Sequence, residues 1–304
     1  MMRPEQRLLW AQVLVWFIPA LWAVNYFCAR LAPGVVDPHI LALGRWAIAG
    51  LILGGLARHE IWQARWQIWS DRWQYLALGT LGMLICGAWV YWGAQTTSAM
   101  NIALIYAAAP VLIAWGSAIW LDERMRPRQM FGVALALVGV VHVVVKGNWV
   151  ALTQMQWSMG DVLIMAATLS WAAYALLQKK WVCTLSSTAR LACICAGGVI
   201  TLLPFALWES LQPQAPQWTW YATALLLAVA LVPGIGAYWI YAWAQKTLGA
   251  SRTSMTLYLG PLWGALVSWG LLGESLGWHH AVGSLLILPG VALVVQPSAV
   301  TKTA

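Results

Sequence analysis

Glu274 is followed five and six residues later by His279 and His280, and a carboxylate beside two imidazoles is a set of groups able to exchange protons near neutral pH. Such a set could draw on a proton gradient; equally, it could be a solvated loop that caps two helix ends. A second group is a single cation, Arg45, inside the apolar run "HILALGRWAIAG". At ~1.5 Å per residue it lies ~10 Å from the nearer end of its helix, a depth that snorkelling covers only in part. A substrate or gating role and a structural role are both open to it.

A third group is polar and aromatic. Trp22, Asn25 and Tyr26 stand three and four residues apart, so they share one helix face, and Trp171 and Tyr174 repeat the pattern later in the chain. An amide in hydrocarbon needs a partner, which turns this face toward the protein interior as pocket lining or interhelical packing. Tyr91, Tyr238 and Trp239, with Asn101, Tyr106 and Tyr258, extend the substrate-binding candidates. Trp22, Trp115, Trp171, Trp239 and Trp263 lie inside apolar runs and could cage an aromatic or cationic solute, although packing explains them equally well. Gln95 and Gln245 read as interfacial residues at helix ends.

The elements that carry these residues are dictated by composition. Of 304 residues, 62% are hydrophobic and only 9% charged, against roughly 25% charged in a soluble domain, so the solvent is a lipid bilayer. The net charge of +8 forms no basic cluster in polar surroundings, and nucleic acid is not an expected partner. The five cysteines lie in or beside apolar runs at spacings of neither a zinc site nor a redox pair, so no metal or cofactor is expected. The first apolar run is too long for a signal peptide and is expected to be retained. Ten spans of about 20 residues can be drawn, at 9–29, 38–57, 74–95, 99–121, 128–146, 160–179, 188–208, 219–243, 251–272 and 279–296. Trp62, Trp66, Trp69 and Trp73, spaced by three and four, read as an amphipathic segment lying on the membrane surface.

Basic residues fall almost wholly on one set of alternate loops, with only Arg30 and Lys146 on the other, so both termini are expected in the cytoplasm. Sliding the chain by 151 residues sets Pro110 on Pro261, Glu123 on Glu274, Gly132 on Gly283 and Gly139 on Gly290. A slide of 150 sets "WVYWGAQ" on "WIYAWAQ", and one of 149 sets Trp22 on Trp171. The chain is therefore a duplication, 1–147 and 158–304, each copy holding five helices. An odd number inverts the second copy relative to the first, which is the architecture of many secondary transporters. It also explains why the elbow Arg124–Arg128 keeps its arginines while its counterpart near Glu274 has lost them. The arginines of the first elbow are also expected to offset the charge of Glu123 at its helix end.

Candidate hinges sit in both copies. Pro110 and Pro261 interrupt the fourth and ninth spans, and "VPGIG" places Pro233, Gly234 and Gly236 within the eighth, where a bend could border a transport path.

Four stretches, "AAAPVLIAWGSAIWLDERMRPRQMFGVALALVGVVHVV", "LYLGPLWGALVSWGLLGESLGWHHAVGSLLILPGVALVV", "ALWAVNYFCARLAPGVVDPHILALGRWAIAG" and "GDVLIMAATLSWAAYALLQ", resemble the EamA domains of the drug/metabolite transporter superfamily. The resemblance covers nearly the whole chain. It implies an all-α protein of ten transmembrane helices in two inverted five-helix repeats, exporting small molecules such as amino acids or related amphipathic metabolites from a bacterial cell across the inner membrane. A channel-like facilitator and a multidrug or quaternary-amine exporter are the alternatives. No converging nucleophile or metal pair suggests an enzyme, and no charged ring suggests a filter.

Overall fold

The computed structural model describes residues 3–213, 216, 218–272 and 275–295, and these are almost wholly helical. The helices are α1 (Pro4–Leu14 continued by Ile18–Leu31), α2 (Pro38–Leu56), α3 (Arg72–Gly93), α4 (Ala99–Trp120) and α5 (Pro127–Val144) in the first copy. The second copy holds α6 (Met159–Lys180), α7 (Ser187–Ser210), α8 (Trp220–Leu248), α9 and α10 (Trp278–Val295). Nine helices among the described residues are long and apolar enough to cross a bilayer. The segment between α8 and α10, α9, is built of three pieces, Ala250–Ser254, a 3₁₀ turn Met255–Leu259 and Gly260–Leu272, and is not one of the nine.

Local sequence explains these boundaries. Ser98, Ser186 and Thr219 each accept a bond from the backbone N–H three residues on, capping α4, α7 and α8. Pro38 and Pro127 occupy the first helical turn, where a missing N–H costs nothing. Gly249, at φ +91°, makes the tight turn between α8 and α9 that a residue with a Cβ would strain.

Proline also breaks helices where the sequence places it. Pro19 cannot donate to the carbonyl of Val15, and α1 is interrupted there. The freed Val15 carbonyl accepts from the Thr256 hydroxyl, and Trp263 Nε1 donates to Trp16 O at 2.8 Å. Pro110 stands in the first turn of the second piece of α4 after the break at 107–108, and Pro261 stands in the first turn of the piece of α9 that follows the 3₁₀ turn. In α8, Pro233 lies in a π-helical stretch, Ala230–Ala237. An equivalent π stretch, Thr80–Ala88, interrupts α3 without any proline, at the 150-residue offset of the repeat.

The copies meet through antiparallel pairs of equivalent helices. A Cβ built on Gly132 would lie 2.6 Å from Gly290 O, and one on Gly139 would lie 3.1 Å from Gly283 O. Numbers rise along α5 as they fall along α10, so two helices related by the sequence repeat run in opposite directions. The α2–α7 pair behaves alike, with Gly50 against Cys195 and His39 against Glu209. This is the inverted arrangement, and its glycines are conserved between the copies because only hydrogen fits where the backbones touch.

The tryptophan-rich amphipathic stretch forms two short helices, Arg58–Gln63 and Arg65–Ser70, leading into α3. Trp62, Trp66, Trp69 and Trp73 are exposed, with the Arg65 guanidinium 4.9 Å from Trp62 and that of Arg72 4.9 Å from Trp69.

Candidate functional site

Between the two copies, near the middle of α1, α2, α6 and α8, six aromatic rings converge. Trp22 meets Trp171 edge-on at 5.5 Å and Tyr241 at 5.6 Å. Trp171 stacks on Tyr174 at 5.3 Å and contacts Tyr238 at 5.6 Å, and Trp46 stands edge-on to Tyr238 at 4.7 Å. The two π stretches flank these rings. Gly82 in α3 leaves room for the Tyr174 ring, and its carbonyl accepts from the Tyr238 hydroxyl at 3.1 Å.

Arg45 lies beside this cluster. Its guanidinium is 4.4 Å from the Trp46 ring centre and 5.6 Å from that of Tyr238, and its stem passes Gly234, where a Cβ would lie 3.5 Å from Arg45 Cγ and Nε. Nη1 donates to Asn25 Oδ1 at 2.9 Å, and the same oxygen accepts from the Tyr91 hydroxyl at 2.7 Å. Arg45 is 5% exposed, and among the described residues no carboxylate lies within ion-pair distance of it. Its Nε, with Trp46 Nε1, Trp171 Nε1 and the Tyr241 hydroxyl, is buried without a hydrogen-bond partner. Each such donor costs about 1–3 kcal/mol if left unsatisfied. The site is thus a cation and several unmet donors set in aromatic walls: the chemistry of a receptor for an anionic or acceptor-bearing group with an apolar body.

Several sequence candidates meet here: Trp22, Asn25, Tyr91, Trp171, Tyr174, Tyr238, Arg45, Gly234 and, through the π stretch it occupies, Pro233. Gly236 packs toward Leu21 of α1. Trp46 was not a candidate, its signal being the Arg-Trp pair; Tyr241 is the counterpart of Tyr91 at the 150-residue offset. Others are engaged elsewhere. Trp239 donates to Thr188 Oγ1 at 3.0 Å and stacks with Trp243. Asn101 donates to Gln156 O and to Asp161 Oδ1, both at 3.0 Å, joining α4 to α6. The Tyr106 hydroxyl is 3.9 Å from Cys86 Sγ, and Tyr258 is buried with its hydroxyl unpartnered. Trp115 is exposed. Gln245, read as interfacial, is 2% exposed and donates to Ala175 O at 2.7 Å. Tyr26 lies on α1, but its side chain is outside the described residues, as is Glu274 entirely. The imidazoles of His279 and His280 lie 4.1 Å apart.

Carboxylates clasp the copies at both ends of the bundle. Glu209 of α7 accepts from His39 N and Ile40 N at 2.8 and 3.1 Å, capping α2, and its other oxygen is 2.5 Å from His39 Nδ1. Glu60, at the 149-residue offset, accepts from Ser186 N and Oγ at 2.5 and 2.6 Å, capping α7. Glu123 caps α9 through Ala250 N and Ser251 N, at 2.9 and 3.2 Å. Beside the arginines of its own elbow, Glu123 has a helix N-terminus from the other copy and Lys179 at 3.8 Å as partners. Sequence reasoning missed the Glu60–Glu209 equivalence, although the offset was legible.

A bundle of inverted repeats with a polar, aromatic site between them defines a membrane transporter. The pattern of the EamA-like transporter family matches residues 9–145 and again 158–296, and the chain belongs to that family. It is 26% identical to "Uncharacterized transporter YyaM" of Bacillus subtilis, over 86% of each chain. It is 24% identical to the "S-adenosylmethionine/S-adenosylhomocysteine transporter" of Chlamydia trachomatis serovar L2, over 90% of this chain and 86% of that one. It is 27% identical to the "Probable amino-acid metabolite efflux pump" of Salmonella typhimurium, over 66% of this chain and 68% of that one. A crystal structure shares the fold, with a TM-score of 0.73 at 17% identity over 93% of this chain and 96% of its own.

Proposed function

We propose that this transporter is a ten-span secondary carrier that exports small amphipathic metabolites, amino acids or their relatives, across a bacterial inner membrane by alternating access. Residues 1–147 and 158–304 act as the two halves, and both termini lie in the cytoplasm, as the distribution of basic residues supports. The observation that carries this reading is the buried, uncompensated Arg45 in an aromatic cluster to which both halves contribute. A carboxylate would neutralise Arg45, and an apolar or aromatic body would replace the ring contacts Trp22 makes. The names of the chlamydial and Salmonella relatives, one an S-adenosylmethionine/S-adenosylhomocysteine transporter and the other a probable amino-acid metabolite efflux pump, support the same class. The face of Trp46 is already taken by Arg45, which weighs against quaternary amines as cargo.

The test is counterflow into proteoliposomes preloaded with amino acids, nucleosides or quaternary amines, repeated with Arg45→Lys, Arg45→Gln and Trp22→Ala. Saturable exchange of carboxylate-bearing solutes, reduced about tenfold or more by Arg45→Gln through loss of a charge-assisted bond, is the expected result. Non-saturating flux would make the protein a channel, and preference for quaternary amines untouched by Arg45→Gln would overturn the site. An imposed pH gradient in the same vesicles tests proton coupling, for which the His279–His280 pair is the nearest chemistry.

A further inference from the structure

A cavity of about 360 Å³ opens at the arginine-rich end of the bundle, between the close of α6, residues 181–185, the start of α7 and the close of α8. Three cations line it, Lys179, Arg190 and Lys246. Arg190 is 5% exposed; Nη2 donates to Trp181 O at 2.8 Å, while Nε is buried and has no partner. Lys246 Nζ donates to Leu185 O at 3.0 Å. Carbonyls satisfy hydrogen bonds but cancel no charge. Among the described residues, Arg190 and Lys246 have no carboxylate within ion-pair distance. Of the acids nearby, Glu60 is bonded to Ser186 and reaches Lys246 only through its longer-range charge, and Glu123 is bonded to the start of α9 with Lys179 at 3.8 Å.

Topology explains basic residues here, and Lys246 at the rim is exposed, but it does not explain the burial of Arg190, because the positive-inside bias is met equally well by an exposed side chain. Burying an unpaired guanidinium is unfavourable, and an anion in the cavity would offset that cost. We infer that this cavity is an anion site, separate from the central one, that holds a phosphate group between Arg190 and Lys246. The volume suits one phosphate or phosphomonoester, and Val182, 91% exposed, gives the rim an apolar edge. Two sources present this chemistry, free phosphate compounds and the headgroups of anionic lipids in the adjacent leaflet.

Thermal unfolding of the full chain in detergent, with inorganic phosphate titrated against chloride at matched ionic strength, addresses the first source. Retention of phosphatidylglycerol against phosphatidylcholine in native mass spectrometry addresses the second. A saturable, phosphate-specific rise in the midpoint, weakened about tenfold or more in apparent affinity by Lys246→Gln and by Arg190→Gln, supports a free-phosphate site. Preferential retention of phosphatidylglycerol, reduced in both variants while phosphate is silent, supports a headgroup site. Arg190 is buried, so Lys246→Gln at the rim keeps the test decisive should the other variant not fold. Wild-type protein indifferent to both probes, or a response unchanged in Lys246→Gln, overturns the inference. Arg45→Gln is expected to leave the response intact, so failure here and failure of the central site are read separately.

Discussion

Replacing Gly290 by alanine tests the contact that joins the two copies. A Cβ there would meet Ala136 N and Gly132 O at 2.7 Å and Ala136 Cβ at 2.9 Å, against 3.4 Å where ordinary contact begins. The shortfall is about 0.7 Å and falls on backbone, which cannot rotate away, so α5 and α10 must part. Overpacking of this kind costs ~1–3 kcal/mol, from which the helix preference of alanine over glycine returns at most ~1 kcal/mol. Gly264→Ala is the control: it lies in the final piece of α9 with nothing within 4 Å of the added carbon, so it carries the propensity gain alone. The difference between the two midpoints, followed by loss of the monodisperse species on heating in one detergent, isolates the contact. Gly290→Ala is expected to melt clearly below wild type and Gly264→Ala at or above it. Adding Gly132→Ala should cost less than its separate effect, because both methyl groups open the same gap. If Gly290→Ala melts no lower than Gly264→Ala, the crossing is not close-packed and the reasoning fails.

Thr256→Val should destabilise by about 1–3 kcal/mol, because it strips the donor from the Val15 carbonyl that Pro19 leaves free. Pro19→Ala in that background should restore much of the loss by returning the helical N–H, and absence of rescue in the melting midpoint refutes the pairing. Glu209→Ala, which removes a buried acceptor of bonds from His39 and Ile40, is expected to cost more than Glu60→Ala, whose partner Ser186 is exposed; equal losses would deny burial its part. The Asp37 carboxyl is raised from its ordinary value by burial and then by the Glu209 charge. A raised acid favours the folded state at low pH and loses that contribution as pH rises through the folded value, so Asp37→Asn should stabilise at neutral pH. The gain should vanish as pH falls below ~3.9, and a gain that persists there would instead indicate a better helix cap.

Much of the architecture was legible before any coordinates. Long apolar runs marked the helices, and one repeat frame carried proline, glutamate and glycine together. Trp22 and Trp171, paired only by offset, stand in contact in the structure. The π stretch in α8 was signalled by Pro233 and its glycines, whereas that in α3 has no proline and became visible only in the fold. Trp46 and the Glu60–Glu209 clasps were missed. Trp46 follows an arginine whose role was open between substrate and structure, and the glutamates lie in helices whose partners are 126 and 170 positions away in the chain.

The sequence by itself determined the solvent, the helices, the duplication and its inversion, because each rests on chain-local quantities: apolar length, charge by loop, and recurrence at a fixed offset. Tertiary structure alone decided which faces turn inward, sending Trp22 and Trp171 to the central cluster while Trp115 is exposed and Trp239 pairs with Thr188. The physical reason is that lipid and protein interior are equally apolar, so hydrophobic periodicity, which separates core from surface in water, carries little contrast in a membrane. What sorts the faces instead is close packing at Gly132, Gly139, Gly283 and Gly290 and the pairing of polar atoms such as Asn25 with Arg45, and both need three dimensions.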